Sequence, residues 1–284
     1  MHIPQLPQTK HGLYDPRHEH DGCGVGVVAN IRGIESHDIV KNGLEVLRNL
    51  AHRGACGCDP LTGDGAGILV QIPDSFMRSE ASALGISLPT KGDYGIGMIF
   101  LPQSEALREQ CVTLIERILT ENGQAILGWR SVPSDNSTIG YIAKDVEPVI
   151  KQVFIGKGQG YDENVPFELN LYLIRKRIET EAQALGLSER DFYIPSFSSN
   201  KLVYKGLLMA TQLCDYYSDL SDETFASSFA LVHSRFSTNT LGSWPLAHPY
   251  RYVAHNGEIN TVLGNINWMR ARESMFESPV FGDN

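Results

Sequence analysis

Short apolar segments with strand character alternate with helical segments along most of the chain, and this alternation limits the folds open to it. Strands are predicted over residues 24–29, 68–72, 94–101, 125–132, 140–142, 149–155, 167–173, 191–197, 202–204, 225–236 and 250–255. Helices are predicted over residues 38–52, 73–84, 104–122, 175–185, 206–217 and 259–275. Neither an internal repeat nor a linker follows residue 22. We therefore expect an α+β protein in which two packed sheets lie under helical layers.

Composition and charge exclude several classes of protein. Hydrophobic residues make up 42% and charged residues 20% of the chain, which is ordinary for a soluble globular protein. A net charge of -9 without a Lys/Arg cluster argues against nucleic acid or an anionic membrane as a partner. Residues 1–22 lack an apolar signal core and contain acidic residues, which argues against a secretory or transit peptide. The five cysteines form no C-x-x-C pair, so we expect a reduced, cytoplasmic chain.

Cys23 lies between two glycines and directly before the first predicted strand. One interpretation is that it is a small buried hydrophobe, as many free cysteines are. The other is that residues 1–22 are removed. The free α-amine of Cys23, with a pKa of ~7.7–8.0, would then lie beside the thiol and act as its base. The stretch resembles the processing site of N-terminal-nucleophile glutamine amidotransferases, in which such a cysteine becomes the first residue.

Two polar motifs near the C-terminus are further candidates for a site. Arg235 follows a predicted strand and is flanked by hydroxyl residues such as Thr238, so it suits a bidentate clamp on a carboxylate. A surface ion pair is the alternative interpretation. Asn256-Gly257 follows the next predicted strand, and by itself this pair is typical of a tight turn.

The glycine-rich run over residues 62–67 superficially resembles a phosphate-binding loop. It lacks the Lys-Ser/Thr that would follow in such a loop, and a strand is predicted after it, so a tight turn into a buried strand is the better interpretation. Arg53, just before this run, is a candidate pocket residue, with a structural salt bridge as the alternative. We expect no metal site: the His18/His20 pair lies in the segment expected to be removed, and the Cys56/Cys58 pair lacks further ligands.

Taken together, these stretches resemble the amidotransferase domain at the N-terminus of glutamate synthase large subunits. The matching runs cover almost the whole chain in the same order: residues 12–16, 19–21, 23–26, 52–55, 62–68, 100–102, 204–206, 233–240, 244–246 and 255–261. Three positions depart from the usual pattern: residues 168–170 are less basic, residues 241–242 replace Phe-Pro, and His248 stands where glutamine is common.

The resemblance implies a four-layer αββα sandwich of the N-terminal-nucleophile hydrolase type. It also implies that Cys23 is the nucleophile that hydrolyses L-glutamine to glutamate and ammonia. Asn256 and Gly257 would form the oxyanion hole, and Arg235, with help from Thr238, would bind the substrate α-carboxylate. By the same resemblance, residues 1–22 are a propeptide and residues 23–284 an amidotransferase domain that is incomplete at its C-terminus.

Further parts of the activity are expected outside these 284 residues. The resemblance implies a synthase domain of the same polypeptide, with FMN and an iron–sulfur cluster, that combines the ammonia with 2-oxoglutarate. It also implies a small NAD(P)H-oxidising subunit or ferredoxin as electron donor, whereas this segment itself is expected to hold no cofactor. Other interpretations stay open: the amidotransferase domain of a different class II enzyme, a non-catalytic module of the same fold, or an amide hydrolase unrelated to glutamine.

Overall fold

Two four-stranded antiparallel sheets dominate the computed structural model, which describes residues 24–54, 56, 58–234, 242–255 and 261–276. The first sheet contains, in spatial order, β1 (Val25–Ala29), β8 (Phe229–Ser234), β2 (Ala66–Gln71) and β7 (Lys201–Gly206). The second contains, in spatial order, β4 (Gln124–Ser131), β5 (Val149–Lys157), β3 (Tyr94–Leu101) and β6 (Tyr193–Ser198). All pairings within both sheets are antiparallel.

Helices connect many of these strands. In the described part of the chain they are α1 (His37–Asn49), α2 (Asp74–Ala83), α3 (Glu105–Glu121), α4 (Tyr141–Asp145), α5 (Phe167–Ala184), α6 (Leu213–Tyr216) and α7 (Val262–Glu273). Two 3-10 turns span Ala51–Arg53 and Ser218–Ser221. None of the described helices is long and apolar enough to cross a membrane.

Helix α1 packs on the first sheet through one apolar stripe. Val40, Leu44 and Leu47 recur at i, i+4 and i+7 and are buried. They share an apolar cluster with Ala230 and Val232 of β8. Burying side chains of this size contributes about 1.5–3 kcal/mol each, so the stripe is sufficient to hold α1 against the centre of the sheet.

Helices α3 and α5 cover the second sheet through a separate apolar cluster. Ile115 and Ile118 of α3 and Leu171 and Ile174 of α5 are buried there, together with Ile99 of β3. The observed architecture is therefore two antiparallel sheets with helices packed on each. This confirms the expected α+β class and is consistent with the αββα sandwich that the resemblance implied.

A buried charge network joins the two sheets. Arg130 of β4 is 4% exposed and makes two hydrogen bonds of 2.8 Å to the carboxylate of Asp219, which is 2% exposed. The guanidinium also donates to Gln152 of β5 and to Glu80 of α2. From the first sheet, the hydroxyl of Tyr204 donates to Asp219 at 2.6 Å. Because all these groups are paired, the desolvation cost of the two charges is offset.

Several predicted elements are confirmed, whereas others are wrong. The segment 140–142 was expected to be a strand, but Tyr141–Asp145 is helix α4. The reason lies far away in the sequence: the carboxylate of Asp59 accepts the N–H of Ile142 at 3.2 Å, and the Thr62 hydroxyl accepts the N–H of Ala143 at 3.2 Å. These side chains satisfy amides at the start of a helix, which local propensity could not indicate.

The predicted strand at 167–173 is also wrong, because it is the first half of the continuous helix α5. A buried helical stripe runs along α5 and consists of Phe167, Leu171, Ile174, Ile178 and Ala182. The predicted strand at 167–173 contains only the first two of these residues, so it is too short to show the helical period. Only the last turn of the helix predicted over 206–217 exists, as α6.

Two predicted pairings change as well. The segments expected to form a hairpin, 191–197 and 202–204, are consecutive strands, but β6 pairs with β3 and β7 pairs with β2 in the other sheet. Residues 250–255 are not a strand; the N–H of Tyr250 donates to the carbonyl of Val253 within a turn. Of the long strand expected at 225–236, β8 covers Phe229–Ser234, and residues 235–236 lie outside the described residues.

Replacing Asp219 by alanine tests the buried charge network. Arg130 would lose its main partner while remaining buried, so we expect the free energy of unfolding to fall by about 3–5 kcal/mol. Hydrogen exchange of the β5 and β7 amides measures this loss locally. Glu181→Ala is the matched control: Glu181 also accepts from two arginines, Arg117 and Arg177, but on the surface, so its loss should cost less than about 1 kcal/mol. Equal effects of the two substitutions would contradict a stabilising role for the network.

Candidate active site

Most of the predicted site residues lie outside the described residues, but the chain is described next to each motif. Cys23, Arg235, Thr238, Asn256 and Gly257 belong to this undescribed set. Gly24 directly follows Cys23, Ser234 directly precedes Arg235, and His255 directly precedes Asn256. These three neighbours therefore report which parts of the chain the fold brings together.

Strands β1 and β8 bring the first two motifs together. The N–H of Ser234 donates to the carbonyl of Gly24 at 2.7 Å. In the same pairing His233 lies opposite Val25. The chain that leaves Cys23 and the chain that leads to Arg235 are therefore hydrogen-bonded neighbours, although more than two hundred positions separate them in the sequence.

His233 brings in the third motif. Its side chain is fully buried, and its Nε2 lies 3.0 Å from the carbonyl oxygen of His255. A carbonyl oxygen only accepts hydrogen bonds, so Nε2 carries the proton and donates. The residue before Asn256 is thus bonded to the strand that leads into Arg235.

The side chain of His248 packs against His233 and completes an aromatic cluster. The two imidazole rings stack with centroids 4.6 Å apart, and the ring of Tyr250 lies 4.1 Å from that of His248 on centroids. Burial, which is the largest cause, and the nearby His233, Lys205 and His255 together lower the pKa of His248 to about 3. His248 is therefore neutral at physiological pH.

Gly67, in the glycine-rich run, makes room for His248. A Cβ at this position would lie 2.5 Å from the backbone oxygen of His248 and 2.6 Å from the Cβ of Lys205. Only glycine permits this approach without displacing the backbone. Gly63 is similar, because its Cβ would lie 2.2 Å from the backbone of Leu208 and Met209. The run leads into strand β2, so its glycines serve close packing.

Lys205 is a buried basic residue beside this cluster, and the sequence analysis did not identify it as part of the site. Its ammonium donates to the carbonyl of Pro245 at 2.7 Å and lies over the rings of Tyr193 and Tyr250, 4.6 and 4.7 Å from their centroids. Burial, with Arg251 nearby, holds the pKa of Lys205 well below its usual value. In the sequence, Lys205 was marked only by the run 204–206, one of the runs that resemble the glutamate synthase domain.

A cavity of about 200 Å³ opens beside Ser234. It is lined by Ala51, Gly54, Cys56, Asp64, Gly65, Leu208, Met209, Ala210, Thr211 and Ser234. One water requires only ~10–15 Å³, so the cavity admits a small organic molecule. The hydroxyl of Ser234 is buried at its wall and has no hydrogen-bond partner among the described residues. The cavity therefore lies beside the residue that is hydrogen-bonded to Gly24 and directly precedes Arg235 in the sequence.

Arg53 is the one predicted site residue that the structure describes. It is half-buried and ends the 3-10 turn Ala51–Arg53, and its neighbours Ala51 and Gly54 line the cavity. Arg53 itself is not among the residues that line the cavity, so its role as a pocket residue stays a prediction. Among the described residues, no cluster of three or more His, Cys, Asp or Glu side chains could hold a metal ion.

Comparison with known proteins identifies the class. Residues 23–284 match the family of class-II glutamine amidotransferases. The chain belongs to this family, which confirms the class that the motifs indicated.

The relatives narrow the comparison to one kind of amidotransferase. The chain is 52% identical over its whole length to the glutamate synthase [NADPH] large chain of Bacillus subtilis (strain 168), of which it covers 18%. It is 44% identical to the glutamate synthase [NADH] of Schizosaccharomyces pombe over 98% of this chain and 13% of that protein. It is 41% identical to the chloroplastic ferredoxin-dependent glutamate synthase of Oryza sativa over 93% of this chain and 16% of that protein. The chain thus spans less than a fifth of these relatives.

The burial of His248 predicts a dependence of stability on pH. Its folded pKa of about 3 lies below the usual 6.5, so between these values the unfolded chain binds a proton that the folded chain does not. The contribution of His248 to the free energy of unfolding is therefore fully present above pH 6.5. It is lost as the pH falls toward 3, by up to about 1.4 kcal/mol per pH unit. Exchanging His248 for glutamine, the residue common at this position in the resembled family, should flatten the decline of the unfolding free energy between pH 6.5 and 4.5. An unchanged slope would contradict a neutral, buried His248.

Proposed function

We propose that this chain carries out the glutaminase half-reaction of a glutamate synthase. It would hydrolyse L-glutamine to glutamate and ammonia and pass the ammonia to a synthase domain of the same polypeptide. The observation that carries this proposal is that the match to the amidotransferase family begins at residue 23, the cysteine assigned as the nucleophile. The hydrogen bond between Gly24 and Ser234, with the cavity at Ser234, supports a site at this point.

The residues of the chain suit each step of this reaction. The free α-amine of Cys23 would take the thiol proton, and the thiolate would attack the side-chain amide carbon of glutamine. Asn256 and Gly257 would donate hydrogen bonds to the oxyanion that forms; one such donor typically contributes ~2.7–4 kcal/mol in the transition state. Ammonia would leave, and water would then hydrolyse the glutamyl thioester. Arg235 and Thr238 would hold the α-carboxylate, and Arg53 would support the pocket wall.

The second half-reaction belongs to the longer protein that we propose carries this sequence. There, FMN and an iron–sulfur cluster would supply the electrons that combine ammonia with 2-oxoglutarate. The names of these three relatives specify NADPH, NADH and ferredoxin in turn, at 52%, 44% and 41% identity to this chain. Similarity over this segment is therefore not tied to one electron donor. We propose that the electron donor of this protein is either a small NAD(P)H-oxidising subunit or ferredoxin. We propose the cytoplasm as the location of the protein.

Replacing Cys23 by serine in the full-length protein tests the nucleophile. We expect glutamine-dependent glutamate synthesis to fall by roughly 1,000-fold or more, because the chemical step loses its nucleophile. Ammonia-dependent synthesis should be spared, since it bypasses this site. Cys58→Ser, at an exposed loop thiol, is the control and should leave both activities unchanged. Unchanged glutamine-dependent synthesis in the Cys23 variant would overturn the assignment.

The intact mass of the protein from its native cells tests the propeptide. We expect a species that begins at Cys23, because the proposed base is the α-amine that this cleavage releases. A stable protein that still carries residues 1–22 would contradict this mechanism. In that case a module without glutaminase activity would become the better interpretation of the sequence.

A further inference from the structure

We infer that His233 is a positioning residue of this site: its hydrogen bond ties the backbone carbonyl of His255, the residue directly before the Asn256-Gly257 motif, to strand β8. This inference rests on the proposed function, because it assigns to His233 the alignment of groups that act on glutamine. His233 does not touch the substrate in this role. It acts through the backbone of His255.

The position of His233 in the sheet is the first argument. Strand β8 lies between β1 and β2, so His233 is opposite Val25 on one side and Gly67 on the other. Val25 is two residues from Cys23, and His233 is two residues from Arg235. His233 is therefore two positions from Arg235, is paired with a residue two positions from Cys23, and is hydrogen-bonded to the residue next to Asn256.

The bond itself is the second argument. The acceptor is a main-chain carbonyl, so the bond constrains the backbone that leads directly into Asn256. Since His233 is fully buried, bulk water does not compete for the donor. The described backbone around His255 is irregular, with no strand at 250–255. A side-chain bond from a central strand is an effective way to hold such a segment.

The packing around the ring is the third argument. His248 stacks on one face of the imidazole of His233, and Gly67, next to His233 in the sheet, lets the backbone of His248 approach. Farther along the same row, Lys205 bonds to Pro245, which anchors the segment that carries His248. The orientation of the His233 ring is thereby constrained by the sheet and by His248, and not only by the bond to His255.

A purely structural histidine is the competing interpretation, and the chain contains one for comparison. His37 is also buried, and its Nδ1 donates to the carbonyl of Phe225 at 2.9 Å. It lies at the start of α1, and neither His37 nor Phe225 is next to an assigned site residue. His37 thus has the same chemistry without the connection to the site, so it provides a matched control.

The expected effect is on the chemical step. A misplacement of about 1 Å in a catalytic group can cost about 100-fold in rate, and loss of an oxyanion donor costs about 100- to 1,000-fold in kcat. Arg235, the proposed carboxylate clamp, directly follows β8 in the sequence, and the backbone pairing of β8 does not use the His233 side chain. Weakened positioning should therefore lower kcat for glutamine far more than it raises KM.

Two substitutions of His233 in the full-length protein separate positioning from packing. His233→Phe keeps an aromatic ring against His248 but removes the donor, and we expect kcat for glutamine hydrolysis to fall by about 100-fold with little change in KM. His233→Gln restores an N–H donor near the position of Nε2 and should recover most of kcat. His37→Phe should leave kcat unchanged, even where it lowers thermal stability as much as His233→Phe does. Ammonia-dependent synthesis monitors the integrity of the rest of the protein in each variant.

The outcomes distinguish this inference from the proposed function. Absence of glutamine hydrolysis in the wild-type full-length protein would overturn both. If the wild type hydrolyses glutamine and His233→Phe behaves like His37→Phe, the function stands and the positioning role is wrong. A fall in kcat that His233→Gln does not relieve would also overturn the role, because the loss would then come from packing and not from the hydrogen bond.

Discussion

The pairing of β8 between β1 and β2 is the constraint on which the rest of the site depends. In this register Val25, His233, Gly67 and Lys205 form one row across all four strands of the first sheet. Because side chains alternate between the two faces of a sheet, a slip by one residue would turn His233 to the opposite face. The missing side chain at Gly67 leaves the space that the backbone of His248 occupies. The ring stack, the bond to His255 and the anchor at Pro245 all follow from this row.

Two deeply buried basic side chains in the described part of the chain, Arg130 and Lys205, are accommodated in different ways. Arg130 stays charged because Asp219 pairs with it in bidentate geometry, and this pair links the second sheet to Tyr204 of the first. Lys205 has aromatic faces and a backbone carbonyl as partners, and burial shifts its pKa far downward. The first arrangement connects elements that are distant in sequence, whereas the second holds the segment from Pro245 to Tyr250 against the sheet that carries the site. In both arrangements, the hydrogen bonds of a buried basic group also hold neighbouring parts of the chain in place.

Local sequence patterns predicted the elements whose apolar residues have one clear period. Strand β3, from Tyr94 to Leu101, and helix α3, which ends before the left-handed Gly123, agree with the prediction closely. Predictions failed where distant groups decide the local conformation. Helix α4 begins at residue 141 because Asp59 and Thr62 bond to its first amides. Residues 250–255 form no strand; His248, just before them, packs on Gly67 and His233, and His255 bonds to His233.

By itself, the sequence determined the class of protein and led to the proposed reactive groups, since the chemistry of a thiol, a guanidinium and an Asn-Gly pair is a property of the residues and their order. The tertiary structure decided which described parts of the chain next to these groups lie together, because the pairing of β1 with β8 joins residues about two hundred positions apart. No local pattern in the sequence indicated that His233 would bond to the residue before Asn256, that Gly67 would admit His248, or that Lys205 would be buried beside them. These roles depend on the register of a four-stranded sheet, which only the folded chain establishes.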